Sequence, residues 1–207
     1  MFSLFLLTGC IGEKKEVKKN KIVTSNWIGY APILYAYEIG DLEKLNIELI
    51  VSSSLQSSVL MYKKNKLDGI CSTKIEIDYI NQSENKSLHI TPISIFNRSY
   101  GGDVIFIEST KNDKILVFDF LSVNNNSFTK TQIKKLQNII NKSINTLQNN
   151  PKKVFESIKF YYDDITYEEF NTLLTEIKLF SKERKDIFLS LIKKEKICNK
   201  QNYLKEQ

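Results

Sequence analysis

Apolar and polar positions along this chain follow two alternating periods, and the change from one to the other marks its elements. Ile22, Val23 and Thr24 form a β-branched run that predicts a strand, and Pro32 to Ile39 reads as a helix opened by proline in its first turn. The segment between them, Asn26-Trp27-Ile28-Gly29-Tyr30-Ala31-Pro32, is therefore a strand-to-helix loop. Leu45 to Val51 predicts a second strand, buried on both faces. The serine-rich stretch Ser52 to Ser58 then leads into a helix carrying Val59, Leu60 and Tyr62, and supplies its caps. Leu67 to Thr73 is the next short strand with its exit loop, Ile75 to Ile80 the helix after it, and Ile90 to Phe96 a further strand running into a loop from Asn97 to Asp103. Strands and helices alternating at this spacing predict an α/β fold with a mostly parallel sheet of βαβ units flanked by helices.

Beyond that loop the pattern changes. Val104 to Glu108 and Lys114 to Phe118 are two apolar runs separated by the polar Ser109 to Asp113, which predicts a β-hairpin. The remainder is helical. Thr129 to Leu147 has Ile133, Leu136, Ile140, Ile144 and Leu147 on one face. Asn149-Asn150-Pro151 ends that helix and opens the next, with Val154, Ile158 and Tyr161 inward. Thr166 and Glu169 form a capping box for a third helix with Phe170, Leu173, Leu174 and Ile177, and Ser181 starts a fourth with Ile187, Phe188, Leu191 and Ile192. A polar tail occupies 193–207.

Four strand ends converge on one edge in this arrangement, which is where open α/β sheets bind ligands. Their loops offer Trp27 and Tyr30, Ser52 to Ser54, Ser72 and Thr73, and Asn97 to Asp103. Trp27 and Tyr30 flank Gly29, so they could stack on a small molecule that approaches the backbone there; the alternative is that both are core aromatics. Composition narrows the function classes. The 207 residues are 42% hydrophobic and 26% charged, the balance of one ordinary folded domain over 21–192. The net charge of +6 comes from scattered lysines without an arginine stripe, which argues against nucleic-acid binding; the lysine-rich helix faces read as solvated surface. No nucleophile-base pair, paired carboxylates or glycine-rich phosphate loop is present, so an enzyme is disfavoured; His89, the one histidine, is read as structural. No metal-ligand cluster and no cofactor motif is found. Of three cysteines, Cys71 lies in an apolar strand and Cys198 in the tail; a disulfide between them is open, but nothing in the spacing argues for it.

The third cysteine belongs to a different pattern. Met1 to Cys10 is an apolar run too short to span a bilayer, and Leu7-Thr8-Gly9-Cys10 resembles a bacterial lipobox, although no Lys or Arg precedes the run. That resemblance implies a signal peptide over 1–9, lipidation at Cys10, and a charged tether over 10–20. A second resemblance covers roughly the N-terminal half. Trp27-x-Gly29-Tyr30-Ala31-Pro32, Tyr35-Ala36-Tyr37-Glu38-Ile39-Gly40, Leu42 to Ile50, Ser52-Ser53-Ser54, Leu67-Asp68-Gly69-Ile70 and Gly101-Gly102-Asp103 occur in the order seen in one family. The chain resembles the first lobe of the ABC transporter substrate-binding proteins of the nitrate, taurine and aliphatic-sulfonate type, which include thiamine-precursor binders and have a type 2 periplasmic binding protein fold. The likeness implies a ligand cleft faced by Asn26, Trp27, Gly29, Tyr30, Ser52, Ser53, Ser54, Thr73, Tyr100, Gly101 and Asp103. It also implies a second α/β lobe after Asp103, in whose place the predicted hairpin stands. The sequence thus leads us to expect a one-lobed, lipid-anchored, solute-binding-like protein on the periplasmic face of a bacterial membrane or the cell surface. Its ligand would be a small organic solute (sulfonate, nitrate or pyrimidine-like), bound weakly or with a partner such as an ABC permease. The alternative is a degenerate lobe that serves as a protein-interaction module without a small-molecule ligand.

Overall fold

The computed structural model describes residues 18–100, 116–163 and 165–180. Cys10, Gly101, Asp103, Cys198, the predicted strand Val104 to Glu108 and the predicted helix from Ser181 lie outside the described residues.

The first half of the chain is built of strand-helix units. They are β1 (Asn20–Ser25) and α1 (Ala31–Glu38), β2 (Ile47–Ser52) and α2 (Leu55–Asn65), and β3 (Gly69–Thr73) and α3 (Lys74–Asn81). Two long strands follow, β4 (Thr91–Tyr100) and β5 (Leu116–Val123), then helices α4 (Lys130–Asn149), α5 (Pro151–Ile158) and α6 (Tyr167–Thr175) and the short β6 (Ile177–Leu179). One six-stranded sheet has the order β2-β1-β3-β5-β4-β6. β1 pairs in parallel with β2 and β3, while β5 runs antiparallel to both β3 and β4, and β6 antiparallel to β4. Strands β1 to β4 therefore point one way, and β5 and β6 return. The chain from Tyr100 to Leu116, which joins the paired β4 and β5, is far too short to hold a second lobe.

Successive side chains of a strand face opposite ways, and both faces of this sheet are covered. Ile22, Leu49, Cys71 and Leu121 meet Ile33 and Leu34 of α1, Leu136, Ile140 and Ile144 of α4, and Phe155 of α5. Val23, Ile70, Phe118 and Phe120 meet Val59 and Tyr62 of α2 and Ile77 and Ile80 of α3 on the other side. Cys71, completely buried in this sheet, is a free thiol whose pKa is pushed up, chiefly by burial. The helices start where their caps dictate: Thr129 and Thr166 each form a reciprocal capping box, with Gln132 and Glu169, and Asn150 caps α5 ahead of Pro151. After α1 the chain turns at Gly40, whose φ of +74° lies in the left-handed region that a side chain disfavours.

Three boundaries differ from those the residue pattern predicts. β4 continues past Phe96 to Tyr100, so Asn97 to Tyr100 are strand and not loop: Asn97 pairs with Asp119, Arg98 with Phe118 and Ser99 with Val117, after two bulges earlier in the strand. β5 extends to Val123, well beyond the predicted end at Phe118, with Asp119 in its middle. Ile177, placed on the third helix by its spacing from Leu173 and Leu174, instead opens β6, where it pairs with Ser99. In each case pairing with a neighbouring strand overrides the local pattern.

Candidate functional site

β1, β2 and β3 run in parallel and end at Ser25, Ser52 and Thr73, so the segments that follow them emerge at one edge. Each leads to a helix, so three helix starts are gathered there, with the Ala31, Ser57 and Ile75 N–H groups already bonded within the chain. Most hydroxyls at this edge are engaged in building those starts. Ser54 caps α2 by accepting from the Ser57 N–H at 3.1 Å. The Ser52 hydroxyl lies 2.7 Å from that of Ser58 and donates to the Ser54 carbonyl at 2.8 Å. Thr73 caps α3: its Oγ1 accepts from the Ile75 N–H at 3.3 Å, while its own N–H and hydroxyl both donate to the Glu76 carboxylate. Ser53 is exposed. Ser72, completely buried one residue before the edge, has a hydroxyl without a hydrogen-bond partner.

The loop after β1 is held from three directions. The Trp27 indole N–H donates to Oδ2 of Asp119 at 3.0 Å, and the Tyr30 hydroxyl to Oδ1 of the same carboxylate at 3.1 Å. The Asn97 side-chain amide donates to the Gly29 carbonyl at 3.1 Å. Asn26 reaches toward the C-terminal helices, where its amide donates to the Tyr161 carbonyl at 3.4 Å. A 3₁₀ turn, Ile28–Tyr30, compacts the loop so that these contacts coincide. A Cβ at Gly29 would stand 2.4 Å from Asn97 Nδ2, 2.5 Å from Trp27 Nε1 and 2.9 Å from Asp119 Oδ2. Glycine is needed here for space.

The two aromatics differ in role. Trp27 is half-buried and packs on the edge of the larger core, whereas Tyr30 is 1% exposed and meets Phe96 edge-on, with ring centroids 5.6 Å apart. Burial first, and then the Asp119 charge, raise the Tyr30 pKa well above that of a free phenol. Of the predicted aromatic pair, therefore, only Trp27 presents surface at the edge, and Tyr30 takes the core place. Thr73 stands beside Asp119 through the β3–β5 pairing. Tyr100 ends β4 near the same edge.

Sequence reasoning missed Asp119, 1% exposed, and placed Asn97 in an edge loop, whereas it is a fully buried strand residue bonded to the Gly29 carbonyl. A signal for Asp119 was available: a lone carboxylate between Phe118 and Phe120 in an apolar strand has to find donors inside the protein. Asn97 Oδ1 is buried without a partner. A surface groove of about 630 Å³ lies elsewhere, along α4 and the start of α5, lined by Asn138, Asn141, Lys142, Asn145 and neighbours, and includes none of the edge residues. Among the described residues no cluster of side chains could hold a metal ion, and no helix is long and apolar enough to cross a membrane.

No family model and no curated protein sequence matches the chain. Solved structures do. A conserved Candida albicans gene product, which defines a family with the generic periplasmic binding protein fold, is 11% identical, with a TM-score of 0.57 covering 80% of this chain and 83% of that one. The periplasmic aliphatic sulphonate binding protein SsuA from Escherichia coli is 7% identical, with a TM-score of 0.55 over 84% of each chain. The ligand-binding component of an ABC-type import system from Staphylococcus aureus, crystallised with zinc bound, is 8% identical, with a TM-score of 0.56 over 85% and 90%. At these identities the likeness establishes the fold: this chain has the α/β architecture of a periplasmic binding protein lobe.

Proposed function

We propose that the protein is a solute-binding lobe of an ABC-type uptake system, anchored to a bacterial membrane through lipid on Cys10, with a small organic solute of sulfonate, nitrate or pyrimidine type held at the strand-end edge beside Trp27. Asn26, Gly29, Ser53, Ser54, Thr73, Tyr100, Gly101 and Asp103 complete the proposed surroundings, with Ser52 and Tyr30 supporting them from inside. The observation that carries the reading is the half-buried Trp27, fixed by Asp119 where three parallel strands end and three helices begin. Apolar stacking surface beside a cluster of helix N-termini is the chemistry that suits a small solute with an anionic or polar head.

Trp27 is the only tryptophan of the chain, so its emission reports on this edge alone. Titration with methanesulfonate, taurine, nitrate and a pyrimidine, followed by Trp27 fluorescence and by melting, tests the reading. A ligand that binds raises the melting temperature in proportion to the logarithm of its concentration over its dissociation constant, and Trp27→Ala removes that shift while leaving the fold. A response that survives Trp27→Ala places the ligand elsewhere. Cys10→Ser is expected to release the protein from membranes, and retention of that variant would count against the anchor.

A second reading has its own support. Ser52, Thr73 and Tyr30 already spend their polar atoms on internal bonds, which leaves few free groups for a ligand. On that reading the lobe docks on another protein, such as a permease, and binds no small molecule. A cooperative melt that no solute shifts, together with co-purification of a membrane partner, selects it.

A further inference from the structure

We propose that Asp119, assisted by Asn97, is the positioning residue of the solute site: its carboxylate clasps the Trp27 indole and sets the face that Trp27 presents at the strand-end edge. The proposal rests on the solute-binding reading above and names what orients its principal side chain.

The geometry converges on a single point. Asn97 Nδ2, Trp27 Nε1 and Asp119 Oδ2 all stand within 3 Å of the place where residue 29 would carry its Cβ. Three polar groups from three separate segments thus share the space left by an absent side chain. Asp119 contributes one oxygen to each of two donors, Oδ2 to the indole at 3.0 Å and Oδ1 to the Tyr30 hydroxyl at 3.1 Å. Tyr30, locked in the core, engages Oδ1, while Oδ2 holds the indole through a separate bond. Asn97 secures the backbone between the two aromatics through the Gly29 carbonyl.

Nothing local would give Trp27 this orientation. It precedes the 3₁₀ turn with extended backbone and makes no capping hydrogen bond, and its loop follows β1 directly. A half-buried indole whose only polar atom is held by a buried carboxylate loses its rotational freedom before any ligand arrives, which is how a binding surface becomes preorganised. A hydrogen bond to an ionised acceptor is the stronger kind and resists exchange with water.

The sole tryptophan makes the test direct, because the full-length protein gives one indole N–H resonance in a proton–nitrogen correlation spectrum. Asp119→Asn keeps size and shape but offers one acceptor oxygen where two donors need one each. We expect that variant to remain folded, to move the indole resonance upfield, and to raise acrylamide quenching of Trp27 at least twofold. Tyr30→Phe removes the competing donor and leaves the Trp27 bond in place, so its indole resonance stays or moves further downfield, with quenching unchanged. A buried residue that acted only through packing would not separate these two variants. An unmoved indole resonance in Asp119→Asn overturns the proposal, as does an equal upfield shift in Tyr30→Phe; the latter variant also decides the matter if Asp119→Asn fails to fold. With methanesulfonate as probe, we expect Asp119→Asn to bind at least tenfold more weakly than the parent, and equal binding would refute the positioning role. If the parent itself ignores methanesulfonate and the other solutes, the solute reading fails, and the clasp is still judged by the indole resonance.

Discussion

Replacing Gly29 by alanine adds one methyl group where three polar atoms already stand. The new Cβ would lie 2.4 Å from Asn97 Nδ2, 2.5 Å from Trp27 Nε1 and 2.9 Å from Asp119 Oδ2. Ordinary contact between such atoms begins at about 3.5 Å, so the amide and the indole must each retreat by roughly 1 Å. From starting lengths of 3.1 and 3.0 Å, that retreat breaks both the Asn97–Gly29 and the Trp27–Asp119 bonds. A neutral bond contributes about 1 kcal/mol and one to a charged group about 2, and strain from overpacking adds about 1 more, giving a loss of about 3–5 kcal/mol. For a chain of this size that is a fall of about 6–20 °C in melting temperature. The assay is thermal and urea unfolding followed by circular dichroism, with Trp27 emission recorded alongside. Gly40→Ala is the contrasting control: nothing lies within 4 Å of its added Cβ, and its φ of +74° costs only the left-handed backbone penalty, about 1 kcal/mol. Asn97→Ala in the Gly29→Ala background vacates the tightest contact and should recover part of the loss, a coupling of about 0.5–3 kcal/mol. A Gly29→Ala protein that melts within about a degree of the parent, with unchanged emission, would refute the argument that glycine is there for space.

Two further predictions concern pH. Tyr62 donates to the Leu88 carbonyl at 2.9 Å, and burial pushes its pKa up to about 12, so the fold prefers the protonated phenol. Its contribution is intact below the ordinary phenol value of about 10 and declines as pH rises from there toward the folded value; Tyr62→Phe should flatten part of the fall in urea midpoint across that window, and an identical slope would count against it. Asp41, beside Lys44 at 2.6 Å and Lys142 of α4 at 3.3 Å, is held below the usual carboxylate range, chiefly by the Lys44 hydrogen bond and against the cost of burial. Its contribution is therefore present above about pH 3.9 and lost as pH falls through the depressed value; Asp41→Asn should lower the urea midpoint at neutral pH and make the acid-side decline shallower, and an unaltered decline would show the ion pairs to be idle.

The units from β1 to α3 were legible because β1 and β2 are compact runs rich in β-branched residues, β3 is a short apolar run marked by Asp68-Gly69 at its start, and each helix begins at a serine, threonine or proline that specifies its start. The same holds for α4, α5 and α6, whose caps Thr129, Asn150 and Thr166 are where the residue pattern placed them. Asn97, Arg98 and Ser99 read as loop because they show no apolar alternation; strand geometry is imposed on them by Asp119, Phe118 and Val117 on one side and by β6 on the other. Ile177 and Leu179 illustrate the converse, since a three-residue strand carries too little pattern to compete with a helical spacing already under way. At the site, Trp27 and Gly29 could be singled out from sequence, but the carboxylate that makes sense of both could not be assigned to them. Asp119 is separated from Trp27 by 92 positions, and only the strand order brings the two together.

That separation also orders events during synthesis. The Trp27 loop leaves the ribosome with its strand and its helix, but its acceptor is encoded 92 residues later, about 5–20 s of elongation at common rates. In the later part of that interval β3 has been made but β5, its other neighbour in the sheet, has not. Wherever the chain folds, the bond between Trp27 and Asp119 can form only once the chain through β5 has been made. The carboxylate that orients the tryptophan is, in the life of the chain, a completion signal.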